Sequence, residues 1–348
     1  MSYSGIWDGF DDYDASHQLW DAVSGTPQYS SAYARFVAAP GCVAQGVRFS
    51  GAFGVNKTKN LNGNYARYMW GFPFYVEALP AGGWAPIMLF QDNGTTQCQL
   101  AVSASGQIGI VFGATPIAVS APGTIAGAHY YWCDLDLTIN NTTGAVLLYL
   151  STPAGGGALI NASGLNTRNG TANNYLNQFT IGTFSNAISV RFDDFHAHDP
   201  GGAAPNSILG EGTRIYTKLP TGAGALTNWT PNGAVANWQC VDDNPPDDDT
   251  TYVSAAAVLE DAYAHTAAGF TGTVNGVVRR SRIRKDDGSA HTFQNGVRSS
   301  GVDQLATAVA VLSTYAYTDS FSSTDPNTSA AWTAAAADAA QSIIKEAS

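Results

Sequence analysis

Asp134 and Asp136 stand two residues apart in a run of alternating apolar and polar residues, so on a strand they share one face. Paired carboxylates are the equipment of glycoside hydrolysis, one serving as acid and the other as nucleophile or base. A retaining pair must face across a cleft with its carboxyls about 5 Å apart. Neighbours on one strand point the same way, and the bland expectation for them is a hydrated, solvent-facing pair. His196 and His198 also share a strand face, near Asp193, Asp194 and Asp199. Two such imidazoles can chelate a metal only if a further ligand arrives from elsewhere in the fold. The competing expectation is a strand end whose histidines are hydrogen-bonded or exposed.

The run Val241–Tyr252 holds Asp242, Asp243, Asp247, Asp248 and Asp249 with Pro245 and Pro246, so it is neither helix interior nor central strand. Asp247, Asp248 and Asp249 offer oxygens to calcium, but the regular Asp-x-Asp-x-Asp-Gly spacing of a calcium loop is missing. A second destination lies downstream. Read as a strand, Val277–Lys285 puts Arg280, Arg282 and Arg284 on one face. The expectation is that the aspartates dock on this arginine stripe, within the domain or across a subunit interface.

Asp92-Asn93-Gly94 and Asn173-Asn174-Tyr175 are turn sequences that can present amides and an aromatic ring at loop tips. Their cluster of Asp, Asn and an aromatic resembles the loops of lectin-type calcium and sugar sites, which implies Asp92, Asn93, Asn174 and Tyr175 as candidate glycan contacts, with Tyr175 stacking on a sugar ring. The bland expectation is common turn chemistry. No Ser-His-Asp, Cys-His or phosphate-loop context is evident, and no cofactor is expected.

The elements that must position these groups read as all-β. Only 12% of residues are charged, against about 25% in an average soluble protein. Small polar residues, glycines and aromatics take their place, a composition suited to strands and turns. Period-2 alternation marks Tyr68–Ala78 and Tyr131–Ile139, with further strands at Cys98–Val102, Ile108–Phe112, Ala145–Leu150, Gln178–Ile181 and Val190–His198. Turn signals at Ser105-Gly106, Asn140-Asn141 and Gly155–Gly157 separate them. This predicts a two-sheet jelly roll over 1–200, a Gly/Pro-rich linker at 201–208, and a smaller β-sandwich over 209–348. Asn327–Ala340 is expected to form one short helix, capped by Ser329, followed by a strand at Ser342–Ala347. Cys42, Cys98, Cys133 and Cys240 lack metal or disulfide-framework spacing. Buried thiols are expected, with one bridge among the first three left open.

Trp7-Asp8-Gly9-Phe10-Asp11, the stretch His129–Ile139 and the closing Val190–Asp199 occur in an order that resembles laminin-G-like, concanavalin-type domains of tailed-bacteriophage virion proteins. Leu209-Gly210, Arg214-Ile215, Leu219-Pro220, Trp229-Thr230, Pro245–Tyr252, Val277–Lys285 and Ala331-Trp332-Thr333 are similar to the module that follows the jelly roll in those proteins. The resemblance implies that the first and last strands of the jelly roll pair. Laminarinase-type jelly-roll hydrolases carry Glu-x-Asp-x-x-Glu. Here both glutamates of that pattern are missing, and the chain has only Glu77, Glu211, Glu260 and Glu346.

A net charge of −11 disfavours nucleic acid, which is gripped by clustered Lys and Arg. The first residues lack the pattern of a signal peptide, and no apolar run reaches the roughly 18 residues of a membrane span. The expectation is a non-enzymatic virion surface protein made in a bacterial cytoplasm. It would be a homo-oligomer contacting other virion proteins, tail-tip or fibre-associated, and involved in host attachment, with a host glycan as a further partner. The alternatives are head decoration and, in another class, a carbohydrate-binding module or glycan hydrolase.

Overall fold

The computed structural model describes residues 5–11, 19–50, 54–151, 156–184, 188–202 and 205–348. They divide into two compact units. One is built on Gln45–Ile215 with the described residues up to Val37, the other on Tyr216–Ser348 with Ala38–Ala44. The expected linker at 201–208 therefore falls inside the first unit, although Ala203 and Ala204 lie outside the described residues, as does Gly155 of the expected Gly155–Gly157 turn. The chain beyond it remains fastened: Ile215 N–H donates to Asp194 Oδ1 at 2.7 Å, and Arg35 Nη2 donates to Glu211 Oε1 at 2.8 Å.

The first unit is an antiparallel sandwich of two large sheets. Among the described residues, one sheet runs in the order Ile160–Leu165, Gly144–Leu150, His129–Thr138, Arg67–Val76, Val190–Phe192, Gly46–Phe49 and Gln28–Ser30. Phe195–His198 also pairs with Arg67–Val76 and carries Ile6–Asp8, with Trp7 opposite His196. First and last strands thus meet. The other sheet runs Thr115–Val119, Ile108–Phe112, Thr95–Ser103, Trp84–Asp92, Leu176–Gly182, Asn56–Tyr65 and Ala22–Ser24.

Alternation explains the core. Tyr68, Trp70, Phe72 and Phe74 project from one strand face and are fully buried, and the Trp70 ring meets Phe90 of the facing sheet at 4.7 Å. Each such buried aromatic contributes about 1.5–3 kcal/mol by leaving water. Val190–His198 is two strands and not the single one expected, because Asp194 adopts φ +40 between Val190–Phe192 and Phe195–His198. That turn frees the Asp194 carboxyl to hold Ile215.

In the second unit, a sheet runs Pro220–Thr227, Glu260–His265, Gln341–Glu346, Thr292–Ser299 and Val302–Leu305, with Val309–Ala310 also on Thr292–Ser299. The ribbon Val277–Ile283/Ala316–Ser322 is tied to it by Asn295 Nδ2, which donates to Arg279 O and Thr318 O at 3.0 Å each. Tyr263, Phe293, Val311 and Ile344 form one buried cluster, and Val297, Trp332, Ala337 and Ala340 form another. The helix is shorter than expected, Ala334–Ala339, and its cap is Thr333, whose Oγ1 accepts from Ala336 N at 3.1 Å. Ser329 cannot cap it, since it turns with φ +56 before the helix begins. The following strand, Gln341–Glu346, lies where one was expected. No helix among the described residues is long and apolar enough to cross a membrane.

Candidate functional site

Three groupings gather the chemistry-bearing side chains. The first is on the outer face of the sandwich, where antiparallel register sets Asp134 opposite Gly71, Gly71 opposite His196, and His196 opposite Trp7. One step along, Asp136 and His198 flank Met69. The expected hydrated face is in fact buried: Asp134 and His198 are 1% exposed and His196 is 0% exposed. Asp134 Oδ2 accepts from Trp132 Nε1 at 2.7 Å, and Asp136 takes both Arg67 Nε (2.8 Å) and Nη2 (2.5 Å). The two histidines are not exposed, and each has one backbone group beside it, that of Asp194 for His196 and that of Ser207 for His198. Their rings lie 5.8 Å apart, beside Trp7 at 5.1 and 6.4 Å, and none of their nitrogens makes a hydrogen bond of good geometry among the described residues.

Burial decides the protonation of this layer. It pushes the Asp134 carboxyl up to about 6 against the pull of the Trp132 and Gly210 N–H groups. It pushes Asp194 up to about 6, and burial beside Asp194 raises Asp193 well above the ordinary carboxylate range. The same burial drives His198 down to about 4 and His196 well below its usual value. Among the described residues, no three His, Cys, Asp or Glu side chains are arranged to hold a metal ion. Asp134, Asp193, Asp194, His196 and His198 are all enclosed, each 5% exposed or less.

The second grouping is open. Asn60, Leu61, Gly63, Asn64, Asn93, Asn177 and Gln178 line a shallow depression of about 210 Å³. It sits at the tip of the hairpin joining Trp84–Asp92 to Thr95–Ser103, where Asn93 (φ +47) and Gly94 (φ +83) form the turn. Asp92 does not face this space as a ligand contact. It is 2% exposed, and its carboxylate accepts from Thr171 Oγ1 (2.8 Å), Asn173 Nδ2 (2.8 Å) and Asn177 Nδ2 (3.2 Å). It holds the loop from beneath. Asn177 Oδ1 in turn accepts the Asn93 N–H at 2.8 Å. Of the four predicted glycan contacts only Asn93 lines the depression; Asn174 is exposed elsewhere on the loop and Tyr175 is half-buried. Asn177, Asn64 and Gln178 were missed because an amide on a strand end carries no spacing signal.

The third grouping joins the aspartate run to the arginine strand inside the second unit. Arg282 meets Asp248, and Arg284 Nη2 meets Asp249 Oδ1 at 2.6 Å, where Tyr315 Oη also donates at 2.8 Å. Arg280 turns to Asp319, its partner across the ribbon, because the two are in direct register. Thr251 Oγ1 lies 2.9 Å from Asp243 Oδ2 and 3.0 Å from Asp247 Oδ1. Asp242 stays half-buried with its carboxyl raised, by desolvation first and by Asp243 second. Of the calcium candidates, Asp247 accepts from Thr251, Asp248 is held through both oxygens by Arg282, and Asp249 is held through Oδ1. All four cysteines are free thiols, so the bridge left open by the sequence is not formed.

No protein-family model matches the chain, and no curated protein matches it. Among solved structures, the sialidase of Trypanosoma rangeli is similar over 53% of this chain at 17% identity and a TM-score of 0.33, and the match spans 29% of that enzyme. Domain 4 of an extracellular GH43 arabinanase from Geobacillus stearothermophilus is similar over 56% of this chain and 82% of its own, at 12% identity and a TM-score of 0.31. An alginate lyase from Pseudomonas aeruginosa is similar over 44% of this chain and 83% of its own, at 13% identity and a TM-score of 0.29. These are distant likenesses of β-architecture, and fold alone does not carry function.

Proposed function

We propose that the chain is a non-catalytic structural protein of a tailed-bacteriophage particle. In this reading it is homo-oligomeric, associated with the tail tip or fibre, and engaged in contact with the host surface. The observation that supports it is how the candidate acids are used. Asp134 and Asp136 lie under cover with Trp132 and Arg67, and Asp248 and Asp249 are committed to Arg282 and Arg284. The order of motifs along the sequence supplies the virion context. Head decoration is the near alternative, and cross-linking of purified particles followed by mass spectrometry distinguishes the two. Cross-links to tail proteins are expected; cross-links only to capsid proteins would move the protein to the head, and absence from particles would defeat both.

A second reading, a carbohydrate-binding module, is favoured by the amide-lined depression. Carboxamides offer a donor and an acceptor to neighbouring hydroxyls, and no ionised side chain among the described residues lines the space. A glycan array with the wild type and Asn93→Ala tests it, with binding lost in the variant as the expected result. Polysaccharide cleavage by the wild type that Asp134→Asn abolishes would overturn the non-catalytic reading.

A further inference from the structure

We propose that the outer layer of the first unit is a proton-exchange layer. On folding, His196 and His198 give up protons while Asp134 and the Asp193–Asp194 pair take them up, and this balance keeps the cover formed by 205–215 seated in mild acid. The inference is independent of the functional reading above.

The geometry favours it. An imidazolium carries two N–H donors. The Asp194 backbone favours a charged His196 and the Ser207 backbone a charged His198, but burial outweighs both, and no ring nitrogen makes a hydrogen bond of good geometry among the described residues. The rings lie 5.8 Å apart and are enclosed by Trp7 and Trp132, so charging both would place like charges side by side away from water. The carboxyl side is equally enclosed. Asp134 Oδ1 has no partner among the described residues, and a Cβ on Gly71 would lie 2.8 Å from it and 2.4 Å from His196 Nε2. Two orphaned polar atoms therefore crowd the same glycine. Asp193 and Asp194 are consecutive and each 5% exposed, so ionising one opposes ionising the other.

The charged groups facing the layer do not break this balance. Asp136 is engaged by Arg67, and Glu211, which faces Asp134, is engaged by Arg35. Arg214 and Arg35 act on Asp194, and Asp199 acts on His198. The cover itself is fastened through this layer by the Ile215 N–H, which donates to Asp194, while the Gly210 backbone lies against Asp134 and the Ser207 backbone against His198.

The signs oppose one another. A carboxyl raised in the folded state loses stability for the fold as pH climbs from about 4 through about 6. An imidazole depressed in the folded state loses stability for the fold as pH drops from about 6.5 through about 4. Together they level the profile across that window, and either set alone would tilt it.

The test compares the full chain with Asp134→Asn and His198→Gln by urea unfolding between about pH 4 and 6.5, alongside NMR titration of the histidine Cε1 protons. Relative to wild type, the unfolding constant of Asp134→Asn should fall about a hundredfold as pH rises through the window. That of His198→Gln should fall by a similar factor as pH drops. The wild-type His196 and His198 signals should not titrate above about pH 5. A midpoint near 6.5 for either ring, or variant differences independent of pH, would overturn the proposal. Should a variant fail to fold, the wild-type titration decides alone.

Discussion

Arg282 grips Asp248 at two points, Nε to Oδ1 at 2.6 Å and Nη2 to Oδ2 at 2.8 Å. The guanidinium is also flanked by Tyr315 at 4.9 Å and Tyr317 at 5.3 Å. A planar fork between rings and carboxylate is held more firmly than an exposed ion pair, since little side-chain freedom remains to be lost. Arg282→Ala should therefore destabilise the second unit by about 1–2 kcal/mol, between the surface and the buried cases. A double-mutant cycle with Asp248→Asn should show coupling of about 1 kcal/mol. Additive effects in urea unfolding would mean that the pair does not anchor the aspartate loop.

The same grip fixes the response to calcium. Asp248 spends both oxygens on Arg282, Asp249 spends Oδ1 on Arg284 and Tyr315, and Asp243 and Asp247 surround the Thr251 hydroxyl. An ion would have to displace these donors. The unfolding temperature should be the same in calcium and in EDTA; a shift that grows with calcium concentration would reveal a site.

Glu77 bridges two arginines on the sandwich exterior, taking Arg48 Nε at 2.6 Å and Arg191 Nη2 at 2.9 Å. The Arg48 hydrogen bond is the main reason its carboxyl falls to about 2, with Arg191 adding to it. A depressed carboxyl contributes stability that is present above its unfolded value of about 4.5 and is lost as pH falls through about 2. Glu77→Gln should cost about 2 kcal/mol at neutral pH, discounted for a partly exposed group, and nothing near pH 2. Unfolding curves at several acid pH values check the convergence.

Much of the architecture could be read from residue order. Alternation in Arg67–Val76 and His129–Thr138 announces strands because a two-residue period needs only one apolar face. The same logic misplaced Asp134 and Asp136. A polar face reads as wet unless something covers it, and this cover comes from a segment distant in sequence, 205–215, with Arg35. Complementary charge along the chain pointed the aspartate run toward the arginine strand. The turning of Arg280 to Asp319 needed the ribbon register, which no local pattern encodes. Likewise the amide-lined depression draws on Asn60 and Asn64 of one strand, Asn93 of a hairpin turn, and Asn177 and Gln178 of another strand, three segments far apart in sequence.

Gly71 gives the sharpest test of the covered face. It lies in the middle of Arg67–Val76, where a glycine ordinarily weakens a strand. Here the absent side chain has a use. A Cβ would approach His196 Cε1 to 2.3 Å, His196 Nε2 to 2.4 Å and Asp134 Oδ1 to 2.8 Å, and both of those side chains are enclosed and unable to swing away. Gly71→Ala should therefore destabilise the first unit by about 1–3 kcal/mol through overpacking, despite alanine's better fit to a strand. Gly71→Ala combined with His196→Ala should recover part of that loss, because the ring that clashes is gone. Unfolding of the two variants beside His196→Ala alone measures the coupling, and a Gly71→Ala protein as stable as wild type would mean the layer is looser than its geometry shows.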